Sequence, residues 1–193
     1  MASKAVQMVF VALSAIGLIG VIICCALPEW AVLHHDDDDM EIHEGLWKMC
    51  EKYRSGPQEC GTYDDSLIPS ELHAFRALTV ISCLLGVLSL LLLFFGSDVI
   101  QCVQNRDTKT KMILAGGVGL LLAGLLVIIP VSWLSNNIRN LQTGQMRVLV
   151  GASIYIGYVA GLMLMLTGGV LCFLIRCGSS SSGGIISFFS NGA

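Results

Sequence analysis

Four long stretches of this chain carry no charge, and that restricts its fold more than any other feature. Ala5 to Leu27 runs 23 residues without an acid or a base. Residues 77–96, 112–134 and 150–175 repeat the pattern. Each has the ~20 apolar residues that a helix needs to cross a hydrocarbon core about 30 Å thick. Inside lipid each must be a helix, because only a helix satisfies its own backbone there. The composition agrees: 54% of the chain is hydrophobic and 13% charged, against about 25% charged in a soluble domain. The expectation is a membrane α-helical protein, a four-transmembrane-helix bundle forming a single domain over 1–193. A cleaved signal peptide is the rival reading of the first stretch. The run exceeds the 7–15-residue core of such peptides and is followed by a poor cleavage site, so it is read as a span.

Four spans place both termini on one side of the membrane. They leave loops at 28–76 and 135–149 on the other side, and a Ser- and Gly-rich tail at 176–193. Two cysteines indicate which side is which. Cys50 and Cys60 flank Ser55-Gly56-Pro57, a strong turn signal. Residues 42–50 mix Ile, Leu, Trp and Met with polar residues, as a half-buried strand does. A hairpin with a disulfide across its arms fits, and over so short a loop it contributes about 2–3 kcal/mol. Such a bridge needs an oxidising compartment. Loop 28–76 is then extracytoplasmic and the termini are cytoplasmic. Two free thiols in a cytosolic loop are the alternative. Arg106, Lys109 and Lys111 between the second and third spans suit the cytoplasm, but the outer loops carry bases too.

Charge is distributed unevenly. Residues 29–75 hold twelve acids and three bases, a net −9 in a chain of net −3. An acidic outer face attracts cations and argues against nucleic acid as a partner. The block Asp36–Asp39 reads as a solvated loop between strands. With His34 and His35 beside it, metal binding is conceivable, but no fixed ligand geometry follows, and no metal or cofactor is expected. The spans contain no acid, base or histidine of the kind that lines transport paths. A nucleophile–base pair, a phosphate-binding glycine loop and a zinc spacing are absent too, so an enzyme is not expected.

Within the spans, Ala115, Gly119 and Ala123 form one small-residue stripe and Ser153, Gly157 and Gly161 another, both suited to close helix packing. Pro130 predicts a kink near the outer end of the third span. Cys24, Cys25, Cys83 and Cys172 are read as packing residues. Cys102 and Cys177, just inside the inner span ends, are candidates for palmitoylation, with free thiols the alternative. Arg76, at the outer boundary of the second span, can reach the interface or bond backbone carbonyls.

Several motifs together point to a family. Cys25-Ala26-Leu27-Pro28-Glu29-Trp30, then Gly45-Leu46-Trp47-Lys48-Met49-Cys50 and Cys60, resembles the signature of the claudins. The Gly-Leu-Trp core is shared with a wider superfamily of small four-helix membrane proteins. These include peripheral myelin and epithelial membrane proteins and auxiliary subunits of channels and receptors. Ala74-Phe75-Arg76-Ala77-Leu78, Pro130-Val131-Ser132-Trp133 and Gly151-Ala152-Ser153-Ile154-Tyr155-Ile156-Gly157 resemble further claudin motifs. The resemblance covers about residues 8–175. It implies a left-handed bundle topped by a small extracellular antiparallel β-sheet, located in the plasma membrane at tight junctions. It also implies association with membrane lipid, with further copies and other claudins in the same membrane, and with claudins of the next cell. Such strands control paracellular permeability, as a barrier or as a charge-selective pore. Trp30, Gly45, Leu46 and Trp47 would anchor the sheet at the membrane surface, and Cys50 and Cys60 would lock two strands. The alternative on the same fold is an auxiliary subunit or regulator of a channel or receptor.

Three departures bear on function. The second loop begins Asn136-Asn137-Ile138-Arg139 but continues Leu141-Gln142-Thr143-Gly144-Gln145, without the aromatic-Asn-Pro turn many claudins use between cells. The sequence closes Ser190-Asn191-Gly192-Ala193 rather than in Tyr-Val, so binding of a PDZ scaffold is not supported. Tyr53 stands where some pore-forming members carry a charge. Asp64 and Asp65, just after Cys60, are the candidate ion-selectivity residues, because the segment near the second cysteine lines the path in pore-forming claudins.

Overall fold

The computed structural model describes residues 2–35, 40–53, 56–63, 69–97, 106–140 and 146–180. Four helices, α1 (Ala2–Ala26), α2 (Ser70–Gly96), α3 (Arg106–Asn140) and α4 (Ala152–Ser180), are long and apolar enough to cross a membrane. Five strands complete the fold: β1 (Ala31–His35), β2 (Met40–Glu44), β3 (Lys48–Tyr53), β4 (Glu59–Thr62) and β5 (Met146–Val150). They form one antiparallel sheet in the order β4-β3-β2-β1-β5. Both loops at the sheet end of the bundle contribute, since β5 comes from the second.

The helices outrun the apolar stretches. Helix α2 starts seven residues before Ala77, and α3 runs from Arg106 to Asn140. At 1.5 Å per residue α3 is roughly 50 Å long, well beyond the hydrocarbon core. Asn136 to Arg139, read from sequence as loop, are its last helical turns, and Ile138 is buried there. Helix α3 runs through Pro130, which is fully buried. Val150 closes strand β5 instead of opening α4. Its run of apolar residues continues into the helix, so hydropathy alone does not divide the two. The alternation does: Val148 and Val150 pack on the core while Leu149 is exposed.

The bundle closes through small residues. A Cβ on Gly124 would stand 2.6 Å from the Gly161 carbonyl oxygen, and one on Gly168 2.5 Å from that of Gly117. These positions bring the α3 and α4 backbones together. On the opposite side of α3, Gly119 meets Ser89 of α2, and Ser82 Oγ donates to the Ala123 carbonyl at 2.7 Å. Ala115 is exposed and belongs to neither seam. A helix wedged between two neighbours needs two small-residue rows, and a single four-residue stripe follows only part of each. Gly17 and Gly20 of α1 lie against Leu164 and Ala160 of α4. Buried hydroxyls of Thr79, Ser89 and Thr167 donate to carbonyls one turn back, so these groups enter the apolar interior satisfied.

Candidate functional site

The sheet is fastened to the bundle by the motif residues. Helix α1 stops before Pro28, and its last turn leaves carbonyls without helical partners. The buried Trp30 indole Nε1 donates to one of them, Cys24 O, at 2.8 Å. Trp30 N–H donates to Glu44 O at 2.8 Å, bringing the end of β2 beside the end of α1. The chain then turns at Gly45, whose N–H donates to Lys48 O at 3.0 Å. Glycine is required there, because a Cβ would collide with the Cα of Pro28. This turn divides the single strand read over 42–50 into β2 and β3. Gly151 plays a similar part beyond β5: its N–H donates to Trp30 O at 3.1 Å, and a Cβ would overlap the Glu29 carbonyl.

Arg76 of α2 grips the turn from the other side. Its Nε donates to Leu46 O at 2.6 Å, and Leu46 itself is fully buried. The guanidinium stands 5.2 Å from the Trp47 ring centroid and 5.6 Å from that of Tyr63. Tyr63 donates its hydroxyl to Gly45 O at 2.9 Å. One planar cation thus ties α2, the turn and the segment after β4 together, where charge, stacking and donor geometry all favour arginine. Burial pushes the Tyr63 hydroxyl up to about 12, with the Glu44 carboxylate adding to it and Arg76 opposing. Burial also raises the Glu44 carboxyl above its ordinary value. Trp47 is 42% exposed and its indole Nε1 donates to Cys25 Sγ in the last turn of α1, a position that suits a membrane–water interface.

Cys50 of β3 and Cys60 of β4 are direct cross-strand partners joined by a disulfide, with Cα atoms 4.0 Å apart. Cys50 is fully buried. Next to it, Glu51 pairs with Glu59 across the same two strands. Two carboxylates directly opposite repel, and residues 59–62 of this edge strand are exposed. Elsewhere on the sheet, Glu41 lies 3.5 Å from His34 Nδ1 and 3.7 Å from His43 Nε2. Among the described residues no group of three or more His, Cys, Asp and Glu is placed to hold a metal ion.

The structure therefore brings Trp30, Gly45, Leu46, Trp47 and Arg76 into one hydrogen-bonded anchor beside the Cys50–Cys60 bridge. Asp64, Asp65, the Asp36–Asp39 block and Cys102 lie outside the described residues, as does the Cys177 side chain. Sequence reasoning missed Tyr63 and the Glu51–Glu59 pair. Strand register would have revealed the second, since both acids stand one position from the bridged cysteines.

A four-span bundle carrying a disulfide-locked sheet at one end defines a class of small membrane proteins. The chain belongs to the PMP-22/EMP/MP20/Claudin family, whose sequence model matches residues 4–172. It is similar to claudin-4 of Homo sapiens, 39% identical over 183 residues covering 89% of this chain and 87% of the relative. Claudin-4 of Bos taurus is 40% identical over 184 residues, covering 90% and 88%. Claudin-3 of Homo sapiens is 36% identical over 181 residues, covering 88% and 82%. The family consists of structural membrane proteins and not enzymes.

Proposed function

We propose that this protein is a tight-junction strand component that controls paracellular permeability and favours cations. The observation that carries this reading is the outer sheet. It is locked by Cys50–Cys60 and pinned to α1 and α2 by Trp30 and Arg76, as a rigid paracellular wall requires. The net −9 of residues 29–75 supports a cation preference, and so does the pairing of half-buried Glu51 with exposed Glu59. Asp64 follows directly on Tyr63, which is tethered to Gly45. A carboxylate in a narrow passage attracts cations more strongly than one facing open solvent, because the effective dielectric is lower. Charges of the Asp36–Asp39 block in open solvent would be screened within about 8–10 Å. In this reading the sheet lies outside the cell and both termini are cytoplasmic. Lateral partners are further copies and other claudins, and Cys102 and Cys177 are the palmitoylation candidates.

The test is expression in epithelial cells that lack strands of their own. Continuous strands in freeze-fracture replicas are expected, with a dilution potential showing cation preference. That preference should fall on joint Asp64→Asn and Asp65→Asn replacement and barely change when Asp36–Asp39 are neutralised. An unchanged preference after the double replacement rejects the selectivity assignment. The short interval 141–145 between α3 and β5 favours a second reading, a lateral regulator of a channel or receptor. Particles without strands would support it.

A further inference from the structure

Two thiols in the half of the bundle nearest the sheet are unused by this function. Cys25 is the last residue but one of α1. Cys83 lies on α2, seven residues beyond Arg76, roughly 10 Å further along the helix. Neither takes part in a disulfide. Trp47 Nε1 donates to Cys25 Sγ at 3.5 Å. Both residues line an open cavity of about 690 Å³, bordered also by Ile22, Trp47, Lys48 and the Cys50–Cys60 pair. Cys24, adjacent in sequence, is fully buried and lies against the Gly157 position of α4. Packing explains Cys24. It does not explain two thiols from different helices lining one opening.

We propose that Cys25 and Cys83 form a redox-active dithiol, which a hydroperoxide entering this cavity closes to a second disulfide, linking α1 to α2. The Cys25 sulfur is the attacking one, because the Trp47 N–H can hold the negative charge a nucleophilic sulfur carries. It breaks the O–O bond of hydrogen peroxide, takes one oxygen to become a sulfenic acid, and releases water. The Cys83 sulfur then attacks the sulfenic sulfur. The S–S bond forms, the S–O bond breaks, and a second water leaves. The two thiols give up two electrons to the peroxide, and their protons leave in the two waters. Closure draws Cys25 away from the Trp47 indole and fixes α1 to α2 directly beneath the locked hairpin. The link is independent of strand formation and applies equally to a lateral regulator.

The test uses the full-length chain on intact cells exposed to graded hydrogen peroxide. The cells are then denatured, alkylated with N-ethylmaleimide and mapped by mass spectrometry without reduction. Loss of alkylation at Cys25 and Cys83 together is expected, with a linked species that dithiothreitol releases. The linked species should persist in Cys24→Ala. In Cys83→Ser it should vanish, leaving a Cys25 sulfenic acid that dimedone traps. An intact Cys50–Cys60 link in the same map reports that each variant is folded. If a variant fails that check, the wild-type map decides alone. Full alkylation of Cys25 and Cys83 in the wild type, at doses that oxidise added glutathione, overturns the proposal. So does a linked species joining Cys25 to Cys24.

Discussion

Where α3 meets α4, backbone lies against backbone; where the sheet meets the bundle, a few side chains reach across. The first contact rests on Gly117, Gly124, Gly161 and Gly168, whose missing side chains let carbonyls approach. The second rests on Trp30 and Arg76, whose side chains each donate one hydrogen bond across the gap, and on the Tyr63 ring against the Arg76 guanidinium. The α3–α4 seam is thus sensitive to added volume. The sheet has little core of its own and depends on a covalent bond and on polar anchors. Small structures without a sufficient core generally need such a staple.

The contrast can be broken most forcefully in the bundle. Gly168→Leu puts a branched side chain where a Cβ already stands 2.5 Å from the Gly117 carbonyl oxygen, an atom of the backbone that cannot rotate away. A loss of about 3 kcal/mol is expected, the upper end of overpacking costs. It should appear as a lowered melting temperature of the whole detergent-solubilised chain. Wild-type melting would mean the seam is loose.

Cys50→Ser should cost about 2–3 kcal/mol, and the loss should be local. Amide exchange in β3 and β4 should quicken while the bundle melts as before. Cooperative melting of helices and sheet in this variant would show that the two regions are one unit.

The smallest effect is expected at Glu44. Burial raises its carboxyl in the folded chain, so its contribution to stability is full below the unfolded value and is lost as pH rises through the raised folded value. Glu44→Gln should flatten that decline of sheet stability, measured by exchange in β2 between weakly acid and neutral pH. A decline as steep as that of the wild type would assign the pH dependence to other groups.

Much of this architecture was legible in the chain. The four charge-free stretches announce the spans, and the motif residues announce the anchor, because apolar length and Trp, Gly and Cys at fixed offsets are local properties. Element ends were less legible. Helix α3 continues through Asn140 because Ile138 finds a place in the core, and Val150 closes a strand because β1 lies alongside it. Both outcomes depend on partners far away in sequence. Ala115 illustrates the same point: its spacing suits a packing stripe, yet it is exposed.

The sequence by itself determined that the chain crosses a membrane four times, that its acid is concentrated in one loop, and that Cys50 and Cys60 are spaced to bridge. Hydrocarbon thickness and backbone satisfaction leave no other use for such stretches. Only the tertiary structure decided what Arg76 holds, that Tyr63 joins it, that Glu51 confronts Glu59, and that Cys25 and Cys83 line one cavity. Those pairings follow from strand register and from the rotation of α1 against α2. Both are set by the packing of the whole, which no local stretch of residues encodes.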